Sequence, residues 1–204
     1  MLKKILLIHI FLPLWLNAGL NLGIGELPTS SKHKRPEDFY FISSQKSKEI
    51  AEGLMIGLFD GHGDNREGKH DGFRVAKHAK ENMEQVIRKK IAAQPDVERA
   101  FKIAFQEVEQ SVPEKELCGF CGTTALVGLI KNNTLFLANS GDSQALVVLK
   151  SGKNIFTVPH KAIPGTPEGE RIKQHKGIIH SMYSFDLAGE GYVLSEITDY
   201  RTEP

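Results

Sequence analysis

Residues 54–63 read Leu-Met-Ile-Gly-Leu-Phe-Asp-Gly-His-Gly, an apolar run that ends abruptly in an acid, a glycine, a histidine and a second glycine. A run this short favours a strand buried on both faces, because it ends in turn residues. The core behind such a strand holds a terminal carboxylate in place, and the glycine-rich turn exposes carbonyl oxygens beside it. Mg²⁺ and Mn²⁺ require oxygen ligands of this kind on a rigid element. Asp60 is therefore either a metal ligand or the first residue of an ordinary turn.

The composition is that of one ordinary globular domain. The chain has 204 residues, of which 40% are hydrophobic and 25% are charged, and this is enough to build a real core. Its formal net charge is +1, which gives no long-range attraction to nucleic acid or to an anionic membrane. We therefore expect no nucleic-acid partner.

The N-terminus has the features of a secretory signal. Two lysines precede an apolar run from Ile5 to Leu16, and small residues follow the run. The run is too short to span a bilayer core of about 30 Å comfortably. We predict a signal peptide over residues 1–18, cleaved after Ala18, a secreted or periplasmic protein, and no stable membrane span after cleavage. The alternatives are an uncleaved anchor and a hydrophobic leader.

Cys118 and Cys121 are the only cysteines, in the spacing Cys-Gly-Phe-Cys. Two thiols cannot complete a four-ligand zinc site. A thiol-exchange pair normally opens a helix, whereas this motif leads into a predicted strand. A structural disulfide and a pair of inert thiols both remain open.

Two amphipathic helices are predicted after the polar loop that follows Gly63. Asp71 is the predicted N-cap of the first helix, and Pro95 occupies a start position of the second. In both helices apolar residues recur at the spacing of one buried face. These residues are Phe73, Ala76, Ala79, Met83, Val86, Ile87 and Ile91 in the first helix, and Val97, Ala100, Phe101, Ala104, Phe105 and Val108 in the second. His70 and His78 are interpreted as surface residues rather than ligands.

Short apolar runs separated by turn residues predict strands in the rest of the chain. The predicted strands are 39–43, 124–130, 135–138, 145–149 and 154–158, in addition to the run before Asp60. Residues 167–176 predict a short helix that Gly177 ends. Strands, two long helices and then hairpins predict an α+β architecture, with the helices packed against antiparallel sheets.

Several motifs follow one another in an order typical of one family. They are Asp60-Gly61-His62-Gly63, Gly122-Thr123-Thr124-Ala125 and Ala138-Asn139-Ser140-Gly141-Asp142-Ser143, with a weaker fourth in Glu170-Arg171-Ile172 and Gly177-Ile178-Ile179. The chain thereby resembles the metal-dependent protein Ser/Thr phosphatases, the PPM or protein phosphatase 2C family. Residues 19–35, a polar stretch with glycine and proline, are interpreted as a leader, and the resemblance implies a partial phosphatase 2C-like domain over 36–204. The implied fold is an antiparallel β-sandwich flanked by helices, incomplete at the C-terminus.

The resemblance also implies a binuclear Mg²⁺ or Mn²⁺ site. Asp60 would bridge the two metals, Gly61 would lend its carbonyl oxygen to one of them, and Asp38 would act through a bound water. His62 would be the general acid for the leaving group, and Asp142 would lie near an accessory metal. Two bridged metals acidify a shared water and neutralise phosphoryl oxygens. The implied reaction is hydrolysis of phosphoserine and phosphothreonine, without a phosphoenzyme.

The sequence departs from the family pattern at the substrate phosphate. The family places an arginine five residues before the acid equivalent to Asp38, and here that position is His33. Arg35 is the nearest arginine and is our weak candidate for phosphate binding. The Asp-His pair that usually follows the second hairpin is Pro159-His160 here.

The sequence also lacks the family's late metal ligands, because residues 73–204 contain neither an Asp-Gly nor an Asp-Asn. Asp186 and Asp199 are the acids that could stand in. The expected partner is a phosphoprotein substrate. The alternatives are a catalytically inactive phosphatase-fold module that binds a protein partner, and the product of an interrupted gene.

Overall fold

The computed structural model describes residues 9–11, 21–23, 37–43, 53–63, 72–112, 121–131, 134–188 and 191–203. In these ranges the elements are, in chain order, β1 (His9–Phe11), β2 (Asn21–Gly23), β3 (Asp38–Ile42), β4 (Leu54–His62), α1 (Gly72–Ala93), α2 (Val97–Ser111), β5 (Gly122–Thr123), β6 (Ala125–Lys131), β7 (Thr134–Ser140), β8 (Leu146–Val148), β9 (Asn154–Phe156), α3 (Pro167–Gln174), β10 (Ile178–Ala188) and β11 (Gly191–Glu203). The chain divides into two units, Met1–Pro36 and Glu37–Pro204. In the first unit β1 and β2 form an antiparallel pair.

The second unit is built on a five-stranded antiparallel sheet. Its strand order is β3-β4-β6-β7, and β5 also pairs with β4. The central strand β4 is buried on both faces, as its sequence predicts. Met55 and Phe59 are fully buried on one face, and Leu54 and Ile56 are buried on the other. The predicted α+β class with antiparallel strands is confirmed.

Helices α1 and α2 pack on one face of this sheet and form the core with it. The predicted apolar stripes supply that core, although Phe73, Val86, Val97 and Phe105 are only half-buried. The buried cluster comprises Phe41, Met55, Phe59, Ala76, Ala79, Met83, Ile87, Ile91, Ala100, Phe101, Ala104, Val108, Ala125, Val127 and Leu129. The Phe41 ring covers Gly57 of the neighbouring strand, because a Cβ at Gly57 would lie 2.8 Å from Phe41 Cδ1.

Polar contacts also join the two helices. Lys90 of α1 pairs with Glu107 of α2, and the hydrogen bond from Lys90 lowers the pKa of the Glu107 carboxyl. His78 of α1 also contacts the last residue of α2, with its Nε2 2.8 Å from Ser111 Oγ. His78 therefore has a role in helix pairing.

The helix ends differ in detail from the sequence expectation. Helix α2 begins at Val97 and is capped by Asp96, whose side chain accepts a hydrogen bond from Arg99 N at 3.0 Å. Pro95 therefore lies one residue before the cap and does not start the helix. Beyond α3, the residue with positive φ is Lys176, at 64°, and not Gly177. The predicted cap Asp71 lies outside the described residues.

Two further hairpins belong to the second unit, and within the described ranges neither forms a strand ladder with the five-stranded sheet. The predicted hairpin β8–β9 is present, and it exposes apolar side chains such as Val148 and Phe156. The hairpin β10–β11 was not predicted from the sequence. Among the residues that the structure describes, no helix is both long and apolar enough to cross a bilayer.

Candidate metal centre

Asp38 and Asp60 lie directly opposite each other on β3 and β4. The ladder hydrogen bonds on either side of them involve the odd-numbered residues: Gly61 N donates to Glu37 O at 3.0 Å, and Ser43 N donates to Met55 O at 2.8 Å. Asp38 and Asp60 are thus a non-hydrogen-bonded pair, the type in which opposite Cα atoms are only about 4.5 Å apart. The sheet places the two carboxylates side by side.

The face that carries the two acids is the one turned away from the helices. The neighbouring pair, Phe39 and Phe59, points to the helix side, and successive residues of a strand alternate between faces. Asp60 is exposed and Asp38 is half-buried.

The donor set of this pair fits Mg²⁺ or Mn²⁺. Mg²⁺ is usually bound by one or two carboxylates while it keeps several waters. Asp38 and Asp60 supply two carboxylates at an accessible strand end. In the part of the chain that the structure describes, no group of three His, Cys, Asp or Glu side chains is arranged to hold a metal.

Gly61 allows the strand to lie very close to its neighbours. A Cβ at this position would lie 2.5 Å from Gly72 O and 2.8 Å from Glu37 O, and both atoms belong to the main chain. A Cβ at Gly72 would in turn lie 2.6 Å from His62 O. The first turn of α1 therefore presses against the main chain next to Asp60, and both contacts require glycine.

His62 is the last residue of β4, and its side chain is exposed. It lies opposite Gly122 of β5, and a Cβ at Gly122 would be 2.7 Å from His62 Cε1. The imidazole therefore lies over the glycine of the second motif. It is presented to solvent two residues after Asp60.

The second motif holds the main chain of Asp60. Thr124 N donates to Asp60 O at 2.9 Å, and Thr123 Oγ1 lies 3.2 Å from the same oxygen. Asp60 N donates to Thr124 Oγ1 at 3.1 Å. In the sequence the two threonines are recognisable only as part of a motif, and nothing there indicates a task for them in the site.

Asp142 lies in the turn that follows β7, where Gly141 has a φ of 93°. Its carboxylate pairs with Lys161 Nζ at 3.6 Å, and His160 N donates to Gly141 O at 2.8 Å. The segment after β9 therefore stabilises this turn through both contacts. The sequence indicates Asp142 as a candidate but not Lys161, which directly follows the position where the family's Asp-His pair is altered.

The weaker fourth motif forms the surface of α3. Arg171 donates two hydrogen bonds to Glu168, at 2.8 and 2.6 Å. This contact lowers the pKa of the Glu168 carboxyl and raises the pKa of the Arg171 guanidinium. Within the described contacts, these two charged side chains interact with each other on the surface of α3.

The remaining candidate residues are Arg35, Asp186, Asp199 and the two cysteines. Arg35 lies outside the described residues. Asp186 and Asp199 lie on β10 and β11, where their register partners are Val193 and Met182 respectively. They are therefore not opposite each other. Cys121 is disulfide-bonded, and Cys118, the other cysteine of the chain, lies outside the described residues.

Known proteins share this sequence pattern. The sequence profile of the family described as protein phosphatase 2C matches residues 45–193. A probable protein phosphatase 2C 76 of Arabidopsis thaliana is 29% identical over 167 residues, which cover 81% of this chain and 37% of the relative. Protein phosphatase 2C homolog 2 of Aspergillus fumigatus is 32% identical over 122 residues, which cover 58% of this chain and 26% of the relative. A solved bacterial serine phosphatase has a TM-score of 0.49 and 19% identity, and the match covers 65% of this chain and 59% of that chain.

The matched region contains Asp60 and all three principal motifs, and it extends over well more than half of the chain. The chain spans between about a quarter and a little over half the length of the curated relatives that it matches. The chain belongs to the protein phosphatase 2C family of PPM-type phosphatases.

Proposed function

We propose that this protein is a metal-dependent protein serine/threonine phosphatase that binds Mg²⁺ or Mn²⁺ at Asp38 and Asp60. The side-by-side placement of these carboxylates carries the proposal, because it brings two hard oxygen ligands together at an accessible strand end. Membership of the protein phosphatase 2C family supports a phosphoprotein substrate.

Each candidate residue has a defined task in this proposal. Asp60 would hold the metal directly and Asp38 would hold it through a bound water, with the Gly61 carbonyl as a further oxygen ligand. A metal bound there would supply an acidified water and neutralise phosphoryl oxygens. His62, exposed two residues beyond Asp60, would give a proton to the leaving serine or threonine oxygen. Asp142, held by Lys161, would lie near an accessory cation.

Hydrolysis of a phosphothreonine peptide by the 204-residue chain tests the proposal. We expect phosphate release that requires added Mn²⁺ and that falls by about 100-fold or more in Asp60→Asn, since a metal contributes several kcal/mol to the transition state. Glu109→Gln removes an exposed carboxylate of α2 and serves as the matched control. We expect it to keep the wild-type rate.

Two results would count against this function. Hydrolysis that continues undiminished in EDTA, or in Asp60→Asn, would exclude a metal held by this acid. Mn²⁺ binding without hydrolysis by folded protein would favour the alternative, a phosphatase-fold module that binds a protein partner.

We also propose that residues 1–18 are a signal peptide and that the mature protein is secreted or periplasmic. The basic and apolar N-terminus supports this, as does the disulfide at Cys121, since disulfides are typical of oxidising compartments. We expect the intact mass of exported protein to correspond to residues 19–204. A mass that retains residues 1–18 would overturn the cleavage.

A further inference from the structure

The ladder on the second side of β4 is interrupted at Asp60. Pairing of β4 with β6 runs up to Leu58 opposite Leu126, and pairing with β5 resumes at Gly61 opposite Thr123. The register is the same before and after the gap. Asp60 therefore lies opposite Thr124, although this pair is not part of a regular ladder.

A side-chain hydroxyl fills the gap. In a regular hydrogen-bonded pair each residue donates its N–H to the carbonyl of the other. Thr124 N donates to Asp60 O in this way, but Asp60 N donates to the hydroxyl of Thr124, at 3.1 Å. The carbonyl of Thr124 accepts a hydrogen bond from Thr123 Oγ1 at 2.9 Å. The Thr124 hydroxyl thus serves as the acceptor in the position that a main-chain carbonyl usually holds.

The same hydroxyl contacts the turn that carries Asp142. Thr124 Oγ1 and Ser143 Oγ are 2.6 Å apart, and Thr124 is only 6% exposed. The turn also packs on the Thr124 methyl group, because a Cβ at Gly141 would lie 2.8 Å from Thr124 Cγ2. One buried threonine therefore touches the main chain of Asp60 on one side and the turn on the other.

We propose that Thr124 is a positioning residue that couples the main chain of Asp60 to the turn 141–143 through the hydroxyl of Ser143. Ser143 thereby orders Asp60 without touching it. Loss of either hydroxyl loosens the amide of Asp60 and, with it, the carboxylate beside Asp38. Only the effect on cation binding rests on the proposed function; the coupling of the hydrogen bonds stands apart from it.

Amide hydrogen exchange of Asp60, measured by NMR on the full chain, tests the coupling. We expect Thr124→Val and Ser143→Ala each to speed exchange at Asp60 by about 5- to 10-fold, the amount expected for one lost hydrogen bond. Thr124→Ser keeps the hydroxyl and is expected to stay within about 2-fold of wild type. In the Thr124→Val background, Ser143→Ala is expected to add nothing, because the link is already broken.

Thr157 provides a matched control. Its Oγ1 also accepts a main-chain N–H, from Ala145 at 2.8 Å, but it does not contact Asp60 in the described hydrogen bonds. Thr157→Val should leave exchange at Asp60 unchanged. Unchanged exchange at Asp60 in folded Ser143→Ala would overturn the coupling, even if Thr124→Val does not fold. An equal change in Thr157→Val would also overturn it, since the effect would then be general.

Binding of Mn²⁺ gives a second readout that does not depend on turnover. The EPR signal of unbound Mn²⁺ measures the dissociation constant, which we expect to rise about 5- to 10-fold in Thr124→Val and to recover in Thr124→Ser. If the wild-type chain binds no Mn²⁺, the proposed function fails, and the exchange experiment still decides the coupling. If Mn²⁺ binds equally to wild type and to folded Thr124→Val, then Thr124 does not position the carboxylate of Asp60.

Discussion

Phe59→Ala is expected to lower the free energy of unfolding by about 3–5 kcal/mol, the usual cost of removing a buried aromatic ring. Phe59 is fully buried between the sheet and the helices, and its ring lies 5.9 Å from that of Phe41. The neighbouring strands and α1 all pack around Phe59. They therefore cannot easily move in to fill the cavity that the substitution leaves. Urea denaturation followed by circular dichroism measures the change.

Phe156→Ala is the matched control for this substitution. It removes the same ring from β9, where Phe156 is 59% exposed. We expect a loss below about 1 kcal/mol, because most of this ring is already in water. If the two variants lose equal stability, the core does not lie between the sheet and α1–α2 as described.

Gly61→Ala is expected to cost about 3 kcal/mol, at the upper end of the range for overpacking. The added methyl group would lie 2.5 Å from Gly72 O and 2.8 Å from Glu37 O. Neither main-chain oxygen can rotate away as a side chain would, so β3 or the first turn of α1 must move. Thermal unfolding of the wild type and of Gly61→Ala measures the difference in stability.

Gly128→Ala makes the same change on the neighbouring strand β6. The nearest atom to its new methyl group is Leu137 Cδ2 at 3.3 Å, the flexible end of a side chain. We expect a change of less than about 1 kcal/mol. A large loss in Gly128→Ala with a small one in Gly61→Ala would contradict the close approach of α1 to β4.

The sequence predicted the parts of the fold that depend on local pattern. The run before Asp60 is short and apolar at every position except one glycine, so it favours a strand buried on both faces. The stripes of α1 and α2 repeat at helical spacing, and the structure buries most of them. The pairing of Asp38 with Asp60 required more than pattern, because register depends on how the two strands meet.

The rest of the site depends on contacts between residues far apart in the chain. Nothing near Thr124 in the sequence indicates that its hydroxyl accepts the amide of Asp60, because that bond follows from an interruption in the ladder. Lys161 is one surface lysine among many until the fold brings it to Asp142. The residue with a left-handed backbone conformation after α3 is Lys176. The sequence indicates the neighbouring Gly177 instead, because glycine is the usual residue in that conformation at a helix end.

The position of β4 between β3 and β6 has a consequence for how the protein emerges from the ribosome. Asp60 and its partner Thr124 are 64 residues apart, with both long helices between them. At about 5–20 residues per second, β6 is synthesised about 3–13 s after β4. During that interval β4 has an open apolar edge, which is the kind of surface that chaperones bind and that aggregates recruit. A β4 strand formed early would keep this edge open until β6 (Ala125–Lys131) has been synthesised.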